Sequence, residues 1–267
     1  MPIRLASLPA AREYHGSAGC AFWEGYVVAD EAAFHQFLGR AVTDRLHDVE
    51  ANESFEEELQ GLATTGVATE FLETFLAAVP EETSWVVGEA LAEAILAEDE
   101  NREVVWPWNE RRDRRTPQAS LPGADLVGFC RDEQGVCLLF GEVKTSADGK
   151  SPPQVMTGHS GIAWQLESNA TRLGVQHALL LWLRARCLTP ELVAMYREAV
   201  GRYLNSGGKD ILIVGVLLRD TSCREQDVKG RSRYLAGRLS TPTRVQVMAW
   251  YLPVPIRDWA SLLGGTP

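Results

Sequence analysis

Three charged side chains interrupt an otherwise apolar stretch between Leu121 and Ser146: Asp125, Glu142 and Lys144. Charges inside a strand are costly unless paired, hydrogen-bonded or bound to a metal. Glu142 and Lys144 are two residues apart, so an extended strand turns both to one sheet face. Asp125 opens the preceding apolar segment, and a hairpin would bring it beside the end of the next. Two carboxylates and a strand carbonyl then make a hard-oxygen donor set suited to Mg2+ or Mn2+. Such an ion polarises a phosphodiester, stabilises the leaving oxygen and acidifies a bound water. Lys144 would orient that water or stabilise charge that develops on the phosphate. The plainer alternative is a solvated hairpin with a Glu/Lys pair. Leu138, Leu139, Phe140 and Val143 beside the charges argue against an exposed strand.

The elements that must position these groups follow from local pattern. Residues 124–130 and 136–143 are apolar strand-like segments flanking Arg131-Asp132-Glu133-Gln134-Gly135, a polar turn, so the pair reads as a hairpin. Ser84 can cap a helix whose stripe is Val87, Leu91, Ala94 and Ile95; Glu89 and Glu93 share one of its faces. A basic loop, NERRDRRTP, runs directly into the hairpin and carries Arg111, Arg112, Arg114 and Arg115 behind Trp106 and Trp108. Guanidinium forks match phosphate oxygens and indoles stack on bases, so this loop is a candidate nucleic-acid contact or else a solvated surface run. Residues 145–161 read as a Gly/Ser/Pro-rich loop. Gly149-Lys150-Ser151 lacks the earlier glycine of a phosphate-binding loop, which argues against an ATPase. Residues 162–173 read as a helix bearing Trp164, Gln165 and Asn169.

The remaining chain gives a coarser picture. Residues 1–30 suggest strand or irregular structure, 31–46 a helix, 48–58 an acidic link and 71–79 a short helix. The run at 177–188 reads as a strand, 189–204 as a helix entered through Pro190, and 211–218 as the strongest strand. Residues 223–238 read as a basic loop or edge, 245–252 as a last strand, and 256–263 as a closing helix.

Composition narrows the class. A chain of 267 residues, 45% hydrophobic, can bury a full core. Its start carries no apolar leader-like run, and its longest apolar run is too short to span a bilayer. Five cysteines without a CxxC pair suggest a reduced, cytoplasmic setting. The net charge of −10 is uneven: residues 1–100 hold 4 basic and 20 acidic residues, against 22 and 16 in residues 101–267. The second part can attract nucleic acid. The first would repel it, and reads either as an ordinary acidic surface or as a face that docks a partner or shields the site.

Asp125 followed by Glu142-Val143-Lys144 resembles the PD-(D/E)xK nuclease superfamily, with Gly-Ala-Asp in place of Pro-Asp and Pro122 three residues earlier. Together with GEALAE and LPGADLVGF, the motif is most similar to the HamA nuclease subunit of Hachiman anti-phage systems. The resemblance implies an α/β fold, a restriction-endonuclease-like mixed central sheet flanked by helices, over residues 84–267. Residues 1–83 would form a mostly helical, acidic N-terminal part. It implies catalytic roles for Asp125, Glu142 and Lys144, with Gln165 on the following helix and His159 as a weaker local candidate. It also implies metal ligation by Asp125 and Glu142, with Glu89, or failing that Glu93, completing the set. It further implies a Mg2+- or Mn2+-dependent DNA nuclease working with a helicase or ATPase partner and no membrane. A stand-alone restriction-like or repair endonuclease and a non-enzymatic binding module remain open alternatives.

Overall fold

The computed structural model describes residues 8–47, 49–77, 84–99, 102–108, 113 and 123–263. Its frame is a seven-stranded mixed sheet: β1 (Ala11–Ala18), β2 (Ala21–Val27), β3 (Glu103–Val105), β4 (Leu126–Asp132), β5 (Gly135–Ser146), β6 (Ile211–Arg219) and β7 (Arg244–Tyr251). The spatial order is β1-β2-β7-β6-β5-β4-β3. The central strands β2, β7, β6 and β5 are parallel. Antiparallel partners flank them, β1 on one side and β4 and β3 on the other. β6 is buried along its whole length, as a continuous β-branched and leucine run requires in the middle of a sheet covered on both faces.

Two apolar layers cover the sheet. One contains α1 (Glu31–Phe37), α5 (Ser84–Ala97) and α10 (Trp259–Leu263), packed with Cys137, Leu139 and Val143 of β5. The other contains α6 (Ile162–Thr171), α7 (Leu173–Arg186), α8 (Pro190–Asn205) and α9 (Gln226–Arg238), packed with Val136, Leu138 and Phe140. Odd and even residues of β5 therefore face different layers, the period-two alternation of a strand. Glycines admit the helices closely. A Cβ on Gly215 would lie 2.8 Å from Leu166 Cδ1 of α6, and one on Gly88 would lie 2.5 Å from Thr145 Cγ2.

Between α1 and α5 the chain forms a π-helical stretch over Leu38–Val42, α2 (Thr43–His47), α3 (Val49–Leu62) and α4 (Gly66–Ala77). The helix expected over 31–46 is thus real but broken by the π turn.

Three local expectations fail. The acidic segment 48–58 is not a link but most of α3; glutamate is a good helix former, and the run contains no breaker. Residues 177–188 are not a strand but fall largely in α7. There Gln176, Leu179 and Leu183 are buried while Leu181 is exposed, a helical rather than alternating pattern. Residues 223–238 are not a loop but largely α9, with Asp227, Val228, Ser232 and Leu235 buried on one side. The first 83 residues also supply β1 and β2, and β2 pairs with β7 near the other end of the chain. The sheet therefore straddles the division expected at residue 83.

Candidate functional site

The antiparallel register of β4 and β5 pairs Leu126 with Gly141, and the Asp125 amide donates to the Gly141 carbonyl at 3.0 Å. One step further, Asp125 stands opposite Glu142. Asp125 shares the strand parity of Val127 and Phe129, and Glu142 and Lys144 that of Leu138 and Phe140. All three therefore face the layer of α6, α7 and α8. The structure brings them together: Lys144 Nζ lies 3.6 Å from Asp125 Oδ2 and 3.3 Å from Glu142 Oε2. Asp125 Oδ2 also accepts from the Val143 amide at 2.9 Å, which fixes its rotamer. Glu142 is 2% exposed, whereas the side chains of Asp125 and Lys144 keep 22% and 19% of their surface. The site thus has a buried floor and a partly open rim.

A residue that the sequence places on this helix, but to which it gave no site role, completes the floor. Asn169 of α6 is buried and donates from Nδ2 to Glu142 Oε1 at 3.2 Å. That bond holds one carboxylate oxygen and leaves the other turned to Lys144. The end of α6 is itself held. Gln176 donates from Nε2 to the carbonyls of Asn169 and Ala170, and Tyr203 of α8 donates to Gln176 Oε1 at 2.8 Å. The signal available in the sequence was spacing. Gln165 and Asn169 are four apart, hence on one face of the helix that follows the Glu-Val-Lys strand.

Electrostatics follow from this packing. Burial, reinforced by the Asp125 carboxylate, pushes the Glu142 carboxyl up to about 8; the Lys144 ammonium and the Asn169 amide only partly oppose it. The Glu142 carboxyl therefore holds a proton near neutral pH.

The other expected site residues fare differently. Gln165 lies one turn before Asn169, half-buried, and its Oε1 is enclosed without a hydrogen-bond partner. His159 packs edge-on against Trp164, with ring centroids 5.5 Å apart. Glu89 and Glu93 do not join the carboxylates, because α5 covers the opposite face of the sheet. Glu93 is fully buried there and accepts from Arg45 Nε at 2.7 Å, a structural ion pair. Trp108 is no base-stacking platform: it is buried, donates to the Val127 carbonyl at 2.8 Å and packs edge-on against Trp182. Arg111, Arg112, Arg114 and Arg115 lie outside the described residues. Exposed Arg172, with Gly123, Gly174, Val175 and Ala178, bounds an open cavity of about 400 Å³, two residues along the chain from Asp125.

Among the described residues no group of three or more His, Cys, Asp or Glu side chains converges. The donor set is therefore two carboxylates with adjacent strand carbonyls. That set still fits a hard divalent cation, since Mg2+ keeps several waters and takes only one or two protein carboxylates. The Glu142 carboxyl carries a proton near neutral pH, and a bound cation would replace that proton. No helix among the described residues is long and apolar enough to cross a membrane.

No family model, no curated protein and no solved structure matches this chain.

Proposed function

We propose that the chain is a Mg2+- or Mn2+-dependent nuclease that cleaves phosphodiesters of DNA at Asp125, Glu142 and Lys144. The observation that carries this reading is the convergence of these three side chains on one sheet face, with Glu142 buried and aimed by Asn169. A structural ion pair needs one carboxylate for one ammonium. A second carboxylate in contact, with its carboxyl held well above the usual range, is a cost that a stable fold has no need to carry.

Asp125 and Glu142 would hold the cation through carboxylate oxygens, with a backbone carbonyl of β5 and waters filling the remaining positions. When bound, the cation would supply phosphate polarisation and a more acidic water. Lys144, at the rim, places its ammonium where a nonbridging phosphate oxygen or the attacking water would sit. Asn169 keeps Glu142 from turning away. The enclosed Oε1 of Gln165 is an acceptor in want of a donor and suits a held water. Arg172, which lines an open cavity with Gly123, would take a flanking phosphate. The resemblance to the nuclease subunit of the Hachiman anti-phage system extends the proposal to a defence effector that works with a separate helicase or ATPase chain.

The test is nicking and linearisation of supercoiled plasmid with Mg2+ or Mn2+, with and without candidate motor partners. Wild type should cut, whereas Glu142→Ala and Lys144→Ala should lose at least about 100-fold in rate while remaining folded. Equal cutting by wild type and both folded variants would overturn the assignment. A binding module is the reading left if no metal or partner elicits cleavage.

A further inference from the structure

We infer that α3 and α4 form a docking arm for a protein partner that presents an apolar patch ringed by lysine and arginine. This inference goes beyond the nuclease reading and does not depend on chemistry at Asp125 and Glu142.

α3 and α4 follow one another through Ala63-Thr64-Thr65, and α4 buries none of its side chains. Leu59, Leu72 and Leu76 are half-buried and form the inner stripe of this pair. A second apolar stripe points outward. Val67, Phe71 and Phe75 recur every four residues along α4 and are 81%, 67% and 48% exposed. Phe71 and Phe75 stack on each other with centroids 6.1 Å apart. Phe55 and Leu62, seven apart on α3, are exposed as well. Five of the thirteen large exposed hydrophobic side chains among the described residues thus lie on two helices. Scattered exposed apolar groups need no explanation, but a helix apolar on both sides has one side left to cover.

Charge decides what covers it. Residues 49–77 carry seven glutamates and no lysine, arginine or histidine. That field repels phosphate backbones and anionic lipid head groups. A second copy meeting the first through the same hairpin would set these glutamates against their own kind. A partner with a basic rim gains on both counts. Aromatic side chains at the centre and complementary charge at the edge are the usual build of a specific interface.

The test uses the full chain and two synthetic amphipathic helices of about 18 residues, five turns of helix. Both carry the same leucine face, one rimmed by lysine and arginine and the other by glutamate. The basic helix should bind in isothermal titration, with affinity falling as salt rises. Joint substitution Phe71→Ser and Phe75→Ser should weaken it at least tenfold, roughly the loss of 1.4 kcal/mol. Because both rings are exposed, circular dichroism and Mn2+ binding of this variant should match wild type. The inference is overturned by any of four results: no binding of the basic helix; equal binding of the acidic one; binding unchanged in the double variant; or a wild-type dimer in sedimentation that the double variant makes monomeric.

Discussion

At the scale of single residues, Glu142 is the pivot of the site. Its carboxyl sits at about 8 in the folded chain against an ordinary 4.5, chiefly because burial disfavours the charge and Asp125 adds repulsion. The folded state therefore holds a proton between those values that the unfolded chain has released. Stability from this group is complete below about 4.5 and is lost as pH rises to about 8. Chemical denaturation of the metal-free protein should show a midpoint that falls across that window, and Glu142→Gln should flatten the fall. A wild-type midpoint independent of pH would contradict the burial argument. Asn169 belongs to the same scale. Removing its amide in Asn169→Ala should cost about 10- to 100-fold in Mn2+ affinity, the usual loss when a group that orients a ligand is deleted. An unchanged affinity would leave Asn169 with a packing role only.

At the scale of elements, the site depends on the β4–β5 hairpin keeping its register, since a slip of one residue would turn Asp125 away from Glu142. A clamp holds the far end of that hairpin. Arg202 of α8 donates to Asp132 Oδ1 at 2.9 Å, to the Gly135 carbonyl at 3.0 Å and to Asp210 at 3.0 Å, and Arg244 pairs with Asp132 as well. Although burial opposes it, hydrogen bonds from Arg202 and Arg244 hold the Asp132 carboxyl down to about 2. Arg202→Ala leaves Asp132 and Asp210 to share the Arg244 guanidinium and should destabilise the fold by about 1–3 kcal/mol in urea unfolding. A loss below about 0.5 kcal/mol would place the clamp among ordinary surface pairs.

The same scale shows what could be read from residues alone. Alternation and the turn composition sufficed for the hairpin and for the shared face of Asp125, Glu142 and Lys144, because strand geometry is local. The layer on which α5 packs is not local. Nothing in the pattern of Glu89 and Glu93 says which side of the sheet their helix covers, so their assignment to the site failed. Asn169 reaches Glu142 from a helix that Leu166 seats on Gly215, a contact between segments about 50 residues apart. The misread run at 177–188 is the known ambiguity of short apolar stretches, which Gln176, Leu179 and Leu183 resolve once three-residue and four-residue spacings are weighed against alternation.

At the scale of the whole molecule, charge is divided. The sheet strands that carry the site lie in the basic part of the sequence, and the acidic hairpin α3–α4 lies in a protein of net charge −10. Attraction for DNA near Arg172 is opposed by the field of the rest. Alone, the chain should bind duplex DNA more weakly than about 10 µM at physiological salt, with affinity falling steeply as salt rises. Fluorescence anisotropy measures this, and tight, salt-independent binding would contradict the charge argument. Weak intrinsic binding would agree with the proposal of a nuclease that a partner delivers to its substrate.

The most direct test of the central claim is a Mn2+ titration followed by electron paramagnetic resonance at pH 8.5, above the value of about 8 to which burial pushes Glu142, where its proton no longer competes. One saturable site should appear in wild type, and folded Asp125→Asn and Glu142→Gln variants should each lose it. Saturable binding retained in both variants, or absent from the wild type, would contradict the claim that this pair of carboxylates grips a divalent cation.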